Sequence, residues 1–152
     1  MKYFTKAQVR YGSILCALIV LCLASMEITG NNQSFDKSPL TALFMFVAPI
    51  FVLYLAISAK KKSQKKKLKF KEGVMEGFKI SLFFGIVSPF IFLFYYIIVN
   101  PAMIEYVKKV YNLGNADASL AVGVDMLVQF FTSIISGTIV SAIISLFLKT
   151  KK

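Results

Sequence analysis

The sequence predicts an all-α polytopic membrane protein of four transmembrane helices with both termini on one side. Three observations predict it: four long apolar runs, a basic-residue count that alternates between successive connections, and caps, prolines and glycines where the runs begin and end. Of 152 residues, 57% are apolar and 14% aromatic, with a mean hydropathy of +0.71, whereas soluble domains sit nearer half apolar with glycine included. The length suits four spans of about 20 residues with short connections and no separate soluble unit. A single integral membrane domain over 1–152 is therefore expected.

The first apolar run predicts a helix over about 11–28. Lys2, Lys6 and Arg10 precede it, and Glu27, Thr29 and Gly30 close it. It exceeds the apolar stretch of about 7–15 residues in a secretory signal, so it reads as a retained span. Helix two, about 39–59, opens on Ser38 as cap and Pro39 at the first helical position, where the missing N–H does no harm. Helix three is expected over about 76–99, stopped by Asn100 and Pro101, and helix four over about 122–148. Pro49 and Pro89 fall in mid-helix, where neighbouring helices tolerate kinks in membranes. Between helices three and four, residues 101–113 carry Met103, Ile104, Val107, Val110 and Tyr111 at helical spacing, with Gly114 as a stop. That pattern predicts a short amphipathic outer helix lying flat on the membrane, Tyr106 and Tyr111 at headgroup level and Lys108 and Lys109 toward water.

Charge orients the bundle. The chain has 18 lysines and arginines against 7 acids and a net charge of +11. Fifteen of the basic residues fall in the N-terminal tail, the segment 60–71, Lys79 and the C-terminal tail, and three fall on the other side, at Lys37, Lys108 and Lys109. The positive-inside rule then places both termini and the lysine loop in the cytoplasm. In that loop, Lys60, Lys61, Lys62, Lys65, Lys66, Lys67, Lys69 and Lys71 would contact an anionic leaflet, each adding about 1 kcal/mol of attraction. Nucleic acid is not an expected partner, since the loop lacks interleaved aromatics and any recognisable module.

Little in the chain resembles catalysis. There is no histidine, and the two cysteines, Cys16 and Cys22, lie in an apolar run at a spacing that builds neither a redox pair nor a zinc site. No cofactor, metal site or catalytic residue is expected. The candidate polar site is Asp125 with Gln129. At 1.5 Å per residue and about 30 Å of hydrocarbon, Gln129 lies near the outer edge and Asp125 at or beyond it. Asp125 then reads as an ordinary acid near a helix start. By the same count Lys79 sits at the cytoplasmic edge, three residues after Glu76, where a snorkelling ammonium or an i,i+3 ion pair accounts for it, and Glu27 ends its helix outside.

The more specific pattern is steric. Gly73, Gly77, Ser81 and Gly85 recur every four residues on helix three, as do Ser133, Gly137, Ser141 and Ser145 on helix four. Such rows let helix backbones approach in lipid, so helices three and four are expected to cross along them, or to offer them to a second copy.

The segment Lys69-Phe70-Lys71-Glu72-Gly73-Val74-Met75-Glu76-Gly77, the Phe-rich helix after it, Tyr95-Tyr96, Asn100-Pro101, Glu105 and a final small-and-apolar helix ending in lysines together resemble the bacterial four-helix membrane proteins grouped as domain-of-unknown-function family 4199. The resemblance extends over nearly the whole layout. It implies a bacterial inner-membrane location and supplies no activity. From the residues themselves, the expected role is a non-enzymatic interaction or scaffold subunit whose partner is a second copy or another membrane protein. The alternative is a small permease or channel-like protein working as an oligomer, suggested by Pro49, Pro89 and the polar stripe through Gln129 and Ser133.

Overall fold

The computed structural model describes residues 3–30, 43–65 and 67–150. The described residues form helices without strands. Helix α1 spans Lys6–Ile28. Helix α2 spans Ala48–Ser63, preceded by a π-helical turn over Leu43–Val47. Helix α3 spans Phe70–Phe94 and continues as a π turn over Tyr95–Val99. The short α4 spans Met103–Val110, and α5 spans Ala118–Leu148. Apart from α4, each is long and apolar enough to cross a membrane, α2 and α3 when taken with their adjoining π turns, over Phe44–Ser63 and Phe70–Val99.

The helices start earlier than the apolar runs, and local hydrogen bonding explains why. Thr5 Oγ1 accepts from the Gln8 N–H while Gln8 Oε1 accepts from the Thr5 N–H. This reciprocal cap fixes the start of α1 at Lys6 instead of residue 11. Glu72 likewise accepts from the Lys69 N–H, so α3 begins at Phe70, six residues before the expected start. Lys60, Lys61 and Lys62 form the last turn of α2, and only residues 64–69 connect it to α3. The expected start of helix two at residue 39 lies outside the described residues, as does Lys66. Pro49 is the second residue of the α-helical part of α2, just after the π turn, which suits a residue that lacks an N–H and crowds the carbonyl four positions back.

The bundle has two ends, named here for their residues. At the lysine end, the Thr150 N–H donates to the Leu68 carbonyl and the Leu68 N–H donates to Thr150 Oγ1, both at 3.0 Å. The C-terminal end of α5 is thereby tied to the segment leading into α3. Leu15, Val52, Leu53, Ala56, Ile57, Leu68, Ile80 and Ile144 fill the core beneath. At the tyrosine end a second core joins Ile19, Leu23, Phe92, Tyr95, Tyr96, Met103, Val107, Ala121 and Val122, and Phe84 touches both cores.

Helix α3 is the hub, packing most extensively on α5 and next on α1. The two small-residue rows face each other in antiparallel register. A Cβ built on Gly73 would run into the Ser145 hydroxyl, one on Gly77 into Ser141, and one on Gly137 into Ser81. At Gly85 it would stand 3.2 Å from the Phe130 carbonyl and 3.5 Å from Ser133 Cβ. Every step of four along α3 meets a step of four back along α5, glycine facing serine. The two rows thus pack against each other inside one chain. Ser141 Oγ donates back to the Gly137 carbonyl, which satisfies the hydroxyl without a partner helix. A further close approach brings α1 to α3 at Gly12, where a Cβ would meet the Phe83 ring.

Candidate functional site

Apart from the serines Ser81, Ser88, Ser141 and Ser145 on α3 and α5, the buried polar side chains of the described residues lie at the two ends of the bundle. At the tyrosine end, the π turn of α3 presents Tyr95 and Tyr96 on its buried side. Tyr96 has no exposed surface and donates its hydroxyl to Asp125 Oδ2 at 2.8 Å. Tyr111, just past α4, donates to Asp125 Oδ1 at 2.8 Å, and Gln129, one turn along α5, donates to Oδ2. Asp125 is 6% exposed. It is therefore not the ordinary exposed acid that depth counting suggests. The end of α3 supplies Tyr96, and the connection from α3 to α5 folds back over the bundle end to supply Tyr111.

Glu27 anchors a second network. Its Oε1 accepts from the Tyr95 hydroxyl at 2.6 Å and from Asn100 Nδ2 at 3.1 Å, linking the last turn of α1 to the end of α3. Because Tyr95 and Tyr96 are adjacent, the two carboxylates hold one turn of α3 from two different helices, α1 and α5. Helix α4 caps this region with Met103 and Val107 buried in the protein core. Tyr111 turns its hydroxyl inward to Asp125. Lys108 pairs with Glu105 at 2.9 Å, and both border an open cleft of about 470 Å³ that also includes Lys109, Asn112 and Gly114.

Tyr111 lies outside the spans, and its phenol is pushed above the ordinary value. Burial is the main cause, followed by the hydrogen bond to Asp125 and the charges of Asp125 and Tyr106. A raised value favours the protonated phenol in the fold. Its contribution to stability is therefore complete below the ordinary phenol value of 10.0 and is lost as pH climbs beyond it. Comparing phenolate absorbance of the parent with Y111F checks this. The substitution should leave the titration near the ordinary value unchanged and remove a component at higher pH.

At the lysine end, Glu76 is 5% exposed and Gln8 2%. Gln8 Nε2 donates to Glu76 Oε2 at 2.8 Å, and Lys60 Nζ lies 3.4 Å from the same oxygen. Of the two readings of Lys79, the i,i+3 pair is not the one formed: Glu76 takes an ion pair across helices, with Lys60. Turning Glu76 inward toward α1 and α2 brings Lys60 to it. An open cleft of about 550 Å³ lies above Glu76, bordered by Lys60, Lys69, Lys71 and Lys79 among others. Of the other loop lysines, Lys62, Lys65 and Lys67 are exposed and Lys61 is half-buried.

Sequence reasoning passed over Gln8, Glu76, Tyr96 and Asn100 as functional partners. The Thr5 to Gln8 capping spacing and the Tyr95-Tyr96 pair beside Asn100 were the available signals. Among the described residues, no group of three or more acidic or cysteine side chains could hold a metal ion.

Four apolar helices joined by buried polar clasps at both ends define a multi-pass membrane protein. The family described as "Protein of unknown function (DUF4199)" matches residues 10–150, and the chain belongs to that family. No curated protein and no solved structure matches it.

Proposed function

We propose that this protein is a non-enzymatic interaction or scaffold subunit of a bacterial inner membrane, with both termini and the lysine segment in the cytoplasm. The observation that supports it is the closed interior. Helices α3 and α5 mesh glycine against serine through the middle of the bundle, and apolar cores fill the space on either side. At the two ends Glu76, Glu27 and Asp125 accept from donors on other elements and hold helices together. Such a bundle is rigid, and it presents long apolar flanks such as Phe131, Ile135, Ile139 and Ile143 on α5. In a membrane these suit lateral contact with lipid or with another spanning helix.

The test of the role is cross-linking in intact membranes followed by capture in mild detergent. A reproducible membrane-protein partner is expected. A monodisperse monomer with no partner would remove this reading. The orientation has its own test, because fifteen basic residues against three predict it. In intact cells a membrane-impermeant maleimide should label N115C, in the connection between α4 and α5, and should label S63C only after the membrane is opened. The reverse pattern would invert the topology.

A further inference from the structure

We infer that the cleft at the lysine end is a binding site for the phosphate headgroup of an anionic phospholipid. It lies where α1 begins, α2 ends and α3 begins, and its volume is about 550 Å³. Four ammonium groups border it, on Lys60, Lys69, Lys71 and Lys79, against two carboxylates, on Glu72 and Glu76. Both carboxylates are engaged. Glu76 Oε2 takes Gln8 and Lys60, and Glu72 Oε2 takes the Lys69 N–H. Among the described residues, the two ion pairs involve neither Lys69, Lys71 nor Lys79. The cleft therefore carries an excess of positive charge around a floor whose acid is neutralised from within.

Position selects a lipid over a dissolved anion. Lys71, Met75 and Lys79 follow one another at four-residue spacing on α3, so they share one face of the helix. Met75 is 44% exposed between the two lysines, and Phe70 is 41% exposed beside them. Lys79 stands about 30 Å along the helix from Val99, close to the thickness of the hydrocarbon layer. Lys69 and Lys71 then lie among the headgroups and Lys79 at the hydrocarbon edge. A phospholipid in that leaflet would set its phosphate among the ammonium groups and its glycerol and upper chains against Met75. A free phosphate would use the lysines and leave the apolar surface bare.

The site deepens the proposed orientation, since a cytoplasmic leaflet is rich in anionic lipid. Its test is independent of orientation. The full chain in a neutral maltoside detergent is titrated with phosphatidylglycerol, phosphatidylcholine or inorganic phosphate, and bound lipid is counted by native mass spectrometry. Phosphatidylglycerol should bind in preference to phosphatidylcholine, and K71Q/K79Q should weaken it by roughly thirtyfold. K62Q/K67Q removes the same charge outside the cleft and should leave affinity near that of the parent. Equal losses in the two double variants would show diffuse attraction to a polybasic segment and overturn the site. Displacement by inorganic phosphate at concentrations similar to the lipid would overturn the assignment to phospholipid. Labelling of N115C from the wrong side with lipid binding intact would defeat the orientation alone.

Discussion

Replacing Gly77 with leucine is expected to abolish the folded bundle in detergent, and replacing it with alanine to cost about 1–3 kcal/mol, the range for forcing an extra carbon into a filled core. The carbon added at Gly77 falls on the Ser141 side chain, overlapping both its hydroxyl and its Cβ. Rotating the hydroxyl away does not clear the clash, so one helix must move. Movement is costly because the same pair of helices is pinned by Gly73 with Ser145 and Gly137 with Ser81. In lipid, where apolar side chains gain little by leaving the hydrocarbon, this close backbone contact is a main source of helix association. The decisive comparison is the exchange G77S/S141G. It conserves the atoms at the contact and should melt near the parent, while G77S alone should melt far below it. Circular dichroism melts of the four corners give the coupling directly. If G77S and the exchange were equally unstable, the contact would not be the one that sets the helix spacing.

That contact also shows what a sequence displays and what it hides. Glycine and serine at four-residue spacing are legible on each helix, because spacing within a helix is fixed by 3.6 residues per turn. The antiparallel register that seats glycine on serine is a property of the pair and appears only once the helices are docked. The buried acids were missed for a related reason. Counting depth along one helix puts Asp125, Glu27 and Glu76 near the membrane boundaries, where water would be the natural partner. Their burial comes from other elements: Tyr111 beyond α4, Tyr95 and Asn100 at the end of α3, Gln8 on α1. The early start of α1 was legible in Thr5 and Gln8, but an apolar run conceals a cap made by polar residues ahead of it. The π turn at Tyr95–Val99 was not legible, because the Tyr95-Tyr96 pair marks polar partners at this end without specifying how the backbone turns.

Removing the Asp125 carboxylate is expected to be the most damaging polar change, with D125A costing about 3 kcal/mol, the upper end of the range for orphaning a buried donor. Three donors lose their acceptor, and they differ in what they can do next. Tyr111 is half-buried and Gln129 partly exposed, so both can turn to water or lipid headgroups. Tyr96 has no exposed surface, and its hydroxyl is left inside the protein without the carboxylate. Y111F should therefore cost about 1 kcal/mol, near the net value of a single hydrogen bond, and Y96F should exceed it because the carboxylate loses its most enclosed donor. The double variant D125A/Y96F should be no less stable than D125A, since the second change removes the stranded hydroxyl along with its partner. Hydrogen exchange locates the effect. Amides of 103–113 should exchange faster in D125A and Y111F, because Tyr111 is the tether that holds the α4 connection to α5, while amides in the middle of α1 keep their protection. A D125A protein that melts with the parent would assign the closure of this end to the apolar contacts of Met103 and Val107 alone.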